Sequence, residues 1–421
     1  MTELPDAATG PAGGPPPGEL AVGDEVEVTV GPVAHGGHCV ARHEGRVVFV
    51  RHALPGERAR VRVTEAKPGQ RFVRADAVDV LEASAHRVPA PCPYAGPGLC
   101  GGCDFQHVDL PEQRRLKAAV VREQFARLAR RDVEVEVEPV PGDHQGLGWR
   151  TRVEFAVDAE GRPGLRRHRS HDVLPVRDCL IAHDRVRAAG VLGRSWPGER
   201  AVDVVAPSTA DDAVVVPVPS GEAATPVVRE VVRARGWEGT FEVGARGFWQ
   251  VHPGAAATFV DAVLAALQPR PGERAVDLYA GVGLFALALA DAVGPEGAVL
   301  AVEAEGPAMA AARRNTRSRQ WVELRPGRVE KVLRPLVRQG IRADVVVLDP
   351  PRTGAGRQVT EQVASLGPRA VAYVACDPAA LARDTAYLQE AGYGLRALRA
   401  FDAFPMTHHV ECVALFEPEE T

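Results

Sequence analysis

The sequence contains no apolar run approaching the roughly 20 residues that a bilayer-spanning helix needs. Its first residues also lack the basic-then-apolar layout of a secretory leader. A chain that stays off the membrane is therefore expected, with the cytoplasm as its compartment. Positive charge is not in excess either: 50 Lys and Arg stand against 55 Asp and Glu, a net charge of −5. Nothing at whole-chain level marks a nucleic-acid partner, and any basic surface must be local. Cysteine is scarce, seven in 421 residues, yet three crowd together at Cys92, Cys100 and Cys103. In a reducing compartment such a cluster speaks for metal ligation more than for disulfides. What remains is ordinary globular material, 45% hydrophobic and 25% charged, long enough for about three domains of roughly 150 residues each.

Residues 1–19 are rich in Pro, Gly and Ala and nearly devoid of large apolar side chains. They cannot bury enough surface to offset the entropy of ordering, which predicts a disordered tail. Residues 20–83 carry five short β-type runs, EVEVTV, HCVAR, GRVVFVR, ERARVRVTEA and FVRADAVDVLE, separated by turn signals. They predict a small OB-like β-barrel. Its arginines at 51, 58, 60, 62, 71 and 74 fit either a nucleic-acid track or a solvated face.

Residues 84–249 read as a central α+β domain, mainly β. In LPEQRRLKAAVVREQFARLARR, the residues Leu116, Val120, Val121, Phe125 and Leu128 recur at the spacing of one helix face. The other face carries Arg114, Arg115, Lys117, Arg122, Arg127, Arg130 and Arg131. It suits solvent or a phosphate backbone. A second basic run lies at Gly164–His171, within a stretch that predicts a hairpin. From residue 250 to 421 helix-like and strand-like segments alternate, the signature of a Rossmann-like, doubly wound parallel sheet. The last two runs, Leu395–Phe401 and Val410–Phe416, predict an antiparallel hairpin on its edge.

The chemistry gathers at the expected strand ends, where open α/β sheets bind ligands. AVDLYAGVGLFALALA runs from a strand through Gly281 and Gly283 into a helix, but lacks the third glycine of a dinucleotide fingerprint. About twenty residues on, AVEAE ends with Glu303, placed to accept ribose hydroxyls. A nucleoside ligand without a pyrophosphate fits both features, and S-adenosylmethionine is such a ligand. DVVVLDPPRTGAG ends a further strand at Asp349, and its two prolines make a rigid edge beside the crevice. AVAYVACDPAALARD places Cys376 at the next strand end, and FPMTHHVECVALF brings Glu411. A thiolate beside a methyl donor suits an unreactive carbon such as C5 of uridine. Addition to C6 makes C5 nucleophilic, and a base must then remove the C5 proton. Cys376 as nucleophile and Glu411 as base satisfy both needs.

In that order, DLYAGVG, LDPPRTG, VACDPAALARD and FPMTHHVECVALF resemble the S-adenosylmethionine-dependent RNA uracil-C5 methyltransferase family, and GHCVARHEGRVVFVRHALPGE resembles that family's TRAM domain. The resemblance implies a monomeric enzyme that forms 5-methyluridine in ribosomal or transfer RNA. It implies that Gln250, Tyr279, Gly281, Glu303 and Asp349 line the cofactor and target pocket. CGGCDFQH is similar to the family's iron–sulfur motif, which implies that Cys92, Cys100, Cys103 and the distant Cys179 hold a [4Fe–4S] cluster; spacing alone leaves zinc open. Two departures stand out. Asp377 follows the nucleophile where many members have Asn, and the Cys92-to-Cys100 gap is two residues longer than expected. Cys39 and Cys412 read as packing residues. The rival readings are an N-methyltransferase, against which Arg352 stands where an aromatic would follow the prolines, and a non-catalytic RNA-binding protein.

Overall fold

The computed structural model describes residues 20–219 and 225–419, so the tail expected at 1–19 lies outside the described residues. The chain divides into two compact units, one running to Ala85 without the turn His35–Gly37, the other beginning at His86. In the first, β1 (Glu25–Ala34), β2 (His38–His43), β3 (Arg46–Arg51), β4 (Arg58–Glu65) and β5 (Phe72–Glu82) close a barrel in the order β1-β2-β3-β5-β4. Alternating Val28, Val30, Val48, Val50, Ala59, Val61, Val63 and Val73 fill its interior, as the period of two along each strand requires. The outward arginines are largely paired across strands: Arg58 with Glu27 and Glu82, Arg60 with Asp79, Arg62 with Glu25. Of the two readings of these side chains, the solvated face is the one their partners favour.

The second unit opens with α1 (Leu110–Gln124), capped by the Asp109 side chain, which accepts the Glu112 N–H at 2.8 Å. A single π turn over Phe125–Ala129 ends it at Arg130, whose backbone is left-handed at φ 51°. The expected apolar face is buried except at its last member, Leu128, which the π turn leaves exposed. On the opposite, basic face two charges are drawn into the protein, while Arg115, Arg122, Arg127 and Arg130 stay exposed. Lys117 is buried, with its Nζ 2.5 Å from the Asp402 carboxylate and 2.9 Å from the Phe404 carbonyl. Arg114 also binds Asp402, at 3.2 Å. Arg115 contacts Glu112 and His86, and Arg122 donates to the Val135 carbonyl. Helical periodicity separates an apolar face from a charged one, but it does not show which charges tertiary packing covers.

Beyond α1 lie β6 (Val137–Pro139), β7 (Arg152–Val157), β8 (Pro163–Arg166), β9 (Val173–Pro175), α2 (Asp184–Ala188), β10 (Glu199–Val205) and β11 (Val214–Pro219). Five of these strands form an antiparallel sheet in the order β11-β10-β7-β8-β9, containing the expected hairpin as β7 and β8. A separate ribbon pairs β12 (Val227–Ala234) with β13 (Trp237–Gly244).

The helix–strand alternation follows as α3 (Ala255–Leu267), β14 (Arg274–Leu278), α4 (Leu284–Val293), β15 (Ala298–Glu303), α5 (Gly306–Thr316), β16 (Val322–Pro326), α6 (Val329–Arg338), β17 (Val345–Leu348), α7 (Gly356–Ser365), β18 (Ala370–Ala375), α8 (Pro378–Glu390), β19 (Tyr393–Asp402) and β20 (Glu411–Pro418). The sheet order is β16-β15-β14-β17-β18-β20-β19-β6. Strands covered on both faces read as continuous apolar runs, and VVVL of β17 is buried throughout. The closing hairpin is antiparallel as expected, but β19 is not the edge. Val137–Pro139 pairs in parallel outside it, so a piece of the segment expected in the central domain completes this sheet.

Lys117 and Asp402 tie α1 to the end of β19, both side chains having no exposed surface. Replacing one member of a buried pair leaves the other charge uncompensated, which typically costs about 3–5 kcal/mol. Lys117→Met should therefore destabilise the second unit by about 3 kcal/mol in urea unfolding. A change within about 0.5 kcal/mol, typical of surface sites, would show that Arg114 alone satisfies Asp402.

Candidate active site

A cavity of about 1610 Å³ opens at the carboxyl ends of β14, β15, β17 and β18, and Gln250, Tyr279, Gly281, Glu303, Asp349, Cys376 and Glu411 all line it. The parallel strands bring four of these positions there by direction alone. Glu411 arrives differently: β20 runs antiparallel to β18, so its first residue lies at the edge where β18 ends. Ala375 is registered opposite Cys412, which sets Cys376 opposite Glu411.

The loop after β14 is bent sharply. Tyr279 is left-handed at φ 65°, followed by Gly281 at 55° and Gly283 at 91°. For a bulky residue such a φ is uncommon and concentrates at functional sites. A side chain at Gly281 would meet nothing within 4 Å, so its backbone angle, not crowding, asks for glycine. The Glu303 carboxylate accepts the Gly281 N–H at 2.8 Å and the Glu305 N–H at 2.7 Å, joining the two strand ends. Each carboxylate oxygen keeps a further lone pair for a ligand hydroxyl.

The electrostatics are dominated by burial. Glu411 is 6% exposed, and desolvation, with Asp349 nearby, pushes its carboxyl well above the usual range. Burial raises Asp349 to about 7. Cys376 is pushed up to about 12 by burial, then by the charges of Glu411 and Asp349, with the Arg352 guanidinium opposing. Arg352 stands exposed at the mouth, its Nη2 3.5 Å from His409 Nε2. Asp377 caps α8, its carboxylate accepting the Ala380 N–H at 2.8 Å. That role suits Asp as well as Asn.

Three features in or behind the cavity were not singled out from the sequence. Asp277 is buried just behind the glycine loop, raised to about 8 by burial, and neither carboxylate oxygen has a hydrogen-bond partner of ordinary geometry. An acid inside the apolar run AVDLYAG was the signal for it. His409 lines the wall, held neutral by burial and by neighbouring cations that lower it to about 3. Phe248 lines the cavity at 72% exposure, with its ring open to solvent.

Cys92, Cys100, Cys103 and Cys179 line a second cavity, of about 430 Å³, together with Arg150 and the basic run Arg166–Arg169. Burial raises Cys179 to about 11, with Cys100 and Cys92 adding to the rise, and it lifts Cys103 as well, with Cys179 and Cys100 adding. Even so, among the described residues no three His, Cys, Asp or Glu side chains are drawn together as ligands of a metal ion. The expectation of a formed metal site is to that extent not met: the thiols share a cavity but not a ligand geometry.

The fold and site define a methyltransferase with an N-terminal barrel. Residues 19–78 match the TRAM domain model, and residues 224–419 match the model for tRNA (uracil-5-)-methyltransferase. An uncharacterized RNA methyltransferase of Streptomyces avermitilis is 52% identical over 94% of this chain and 99% of its own length. One from Bifidobacterium longum is 40% identical over 93% and 96%. Among solved structures, the tRNA (uracil-54, C5)-methyltransferase of Pyrococcus abyssi, in complex with S-adenosyl-L-homocysteine, shares the fold. Its TM-score is 0.67 at 20% identity, covering 92% of this chain and 99% of that one. The chain belongs to the TRAM-bearing RNA uracil-5 methyltransferase family and is an enzyme of the RNA methyltransferase class. Among the described residues no helix is long and apolar enough to cross a membrane.

With its thiol raised to about 12, Cys376 should be alkylated by iodoacetamide at pH 8 about fiftyfold more slowly than free cysteine, the lost thiolate outweighing the gain in nucleophilicity. Peptide mapping should show the rate still climbing through about pH 10, well above the ordinary thiol value of ~8.5. A plateau near that ordinary value would refute the burial argument.

Proposed function

We propose that the enzyme transfers a methyl group from S-adenosylmethionine to C5 of a uridine in RNA through a covalent Cys376–C6 adduct. The observation that carries this reading is the pairing of Cys376 with Glu411 on adjoining strand ends, in the cavity that also holds the glycine loop and Glu303. When bound, S-adenosylmethionine supplies an electrophilic methyl and a positive sulfonium charge. A wall rich in carboxyl groups, Glu303, Asp349 and Glu411, is suited to such a cation. A cation there also favours the ionised forms of Cys376 and Glu411 that the chemistry requires.

Within that cavity Glu303 and the backbone after β14 would hold the nucleoside part of the donor, and Gln250 and Asp349 would orient the uracil ring. Cys376 gives its proton to water and its sulfur bonds to C6, while the C5=C6 electron pair moves toward C4–O4. The enolate so formed would take the methyl at C5 as the S–CH3 bond of the donor breaks and S-adenosylhomocysteine leaves. Glu411, ionised by then, removes the C5 proton; the electrons re-form C5=C6 and expel the thiolate. Phe248 at the mouth would stack on an RNA base, and Arg150 and Arg166–Arg169 would approach phosphate. Transfer RNA is the first substrate to test, because both the matching family model and the Pyrococcus abyssi enzyme are named for it.

The four cysteines of the second cavity are proposed as [4Fe–4S] ligands. Supporting this, all four face one cavity although Cys179 is far from the others in sequence. A cubane cluster also holds its cysteines farther apart than a single tetrahedral zinc, whose Zn–S bonds are about 2.3 Å.

Two predictions separate these readings. Cys376→Ala should form no adduct and no product, whereas Glu411→Gln should transfer the methyl yet fail to release the thiolate. The second variant should accumulate a protein–RNA band on denaturing gels with unmodified RNA and S-adenosylmethionine. Normal turnover by Glu411→Gln would sink the mechanism. For the cluster, anaerobically purified protein should be brown and Cys100→Ser should bleach it; colourless protein with stoichiometric zinc would refute the assignment.

A further inference from the structure

Asp384 closes the stretch VACDPAALARD that follows the nucleophile strand, yet the chemistry above gives it no task. Its side chain has no exposed surface. Oδ2 accepts the backbone N–H of Ala355 at 2.7 Å and of Gly356 at 3.0 Å, and the Tyr373 hydroxyl at 2.7 Å. Oδ1 accepts from Arg383, Nε at 3.0 Å and Nη2 at 2.7 Å. Arg383 Nη2 in turn donates to the Thr353 carbonyl at 2.8 Å, and the Ala355 N–H also reaches the Tyr373 hydroxyl oxygen at 3.0 Å. One carboxylate thus receives five hydrogen bonds, and through them α8 and β18 grip the loop Thr353–Gly356. The grip is close: at Gly354, with φ 78°, a Cβ would lie 2.6 Å from Asp384 Oδ2 and 2.5 Å from Arg383 Nη2.

Stability alone does not call for this arrangement, since a buried charge can often be replaced by apolar packing without loss. What distinguishes it is the segment it holds. The gripped loop directly continues Asp349-Pro350-Pro351-Arg352, and Gly354 N–H turns back onto the Pro351 carbonyl at 2.7 Å. The prolines stiffen the strand-side half of this segment. Asp384 fixes the other half, so Arg352 sits between two anchored points.

We propose that Asp384, assisted by Tyr373, is a positioning residue for the reaction, locking the Thr353–Gly356 loop so that the Arg352 guanidinium faces Cys376 and Glu411. The proposal rests on the functional reading above. Glu411 from β20 and Asp349 and Arg352 from the β17 loop line the same cavity as Cys376, and their charges, with that of Asp377 at the cap of α8, act on its thiol. Arg352 is the cation among these four, and it acts against the rise of both Cys376 and Glu411. Displacing it leaves the nucleophile among carboxylates.

The test uses the full chain, 5-fluorouridine tRNA and S-adenosylmethionine, reading the rate of covalent adduct formation at saturating concentrations. Asp384→Asn should lower that rate about tenfold per binding-competent site, a modest cost for a misplaced group. Calorimetric affinity for S-adenosylmethionine should stay within about twofold. In an Arg352→Lys background, Asp384→Asn should add no more than about a further twofold, because groups that act through one another are not additive. Tyr373→Phe keeps the packing and removes two hydrogen bonds, the one given to Asp384 and the one accepted from the Ala355 N–H. It should give a smaller loss with the same pattern, and it decides the matter if Asp384→Asn does not fold.

The inference is overturned if the rate falls only in proportion to the protein that still binds S-adenosylmethionine, if Asp384→Asn matches wild type, or if its full loss recurs in the Arg352→Lys background. Failure of the wild-type enzyme to form any adduct would overturn both the functional reading and this inference, whereas a normal wild-type adduct with unaffected variants overturns this inference alone.

Discussion

The organising constraint of the catalytic unit is the removal from water of acidic groups that lie too close together. Asp349, Glu411 and Cys376 line one cavity at one end of a sheet whose strands are apolar on both faces, and Asp277 is buried within β14 behind it. Each is raised chiefly by desolvation, and the charges of neighbours add to the rise of Asp277, Cys376 and Glu411. Burial thus disfavours the charged form of each group, and a positive charge brought into the cavity would act in the opposite direction.

Holding such a site calls for rigid surroundings, and the structure supplies them with buried polar groups that contact its loops rather than the cavity itself. Gln113 on α1 donates to the Phe105 and Val108 carbonyls and accepts the Met406 N–H at 2.8 Å. Lys117 holds Asp402 and the Phe404 carbonyl. Together they fasten the connection from β19 to β20, which carries His409 and leads into Glu411. On the side of β13, Arg152 donates to the carbonyls of Gly244, Ala245 and Gly247, backed by Glu230 at 3.1 Å. That turn leads into Phe248 and Gln250. In each case several hydrogen bonds to backbone fix a loop more sharply than apolar contact could, because they specify direction as well as distance.

The two cysteine environments contrast usefully. Cys376 stands at a strand end with anions around it, whereas Cys103 and Cys179 are raised mainly by burial and then by other thiols. The first sets one thiol in the cavity that the strand ends line. The second gathers four cysteines around one cavity beside a basic run.

Much of this was legible in the sequence because it depends on short-range physics. The alternation of helix and strand, the turn-bounded runs of the barrel, the glycines of DLYAGVG and the strand-end positions of Glu303, Asp349 and Cys376 follow from periodicity and from where parallel strands must end. What the sequence could not tell is which like residues differ in fate. Lys117 and Arg115 lie two positions apart on one helix, yet one is buried against Asp402 and the other lies exposed. Val137–Pro139 carries no mark of the sheet it completes. The facing of Cys376 and Glu411 is set by the register of Ala375 with Cys412, a pairing between segments far apart in the chain. Local sequence thus determined the elements and the chemical groups at their ends. Only tertiary packing decided which of those groups lose water and which charges meet, because desolvation and register depend on what the rest of the chain brings alongside.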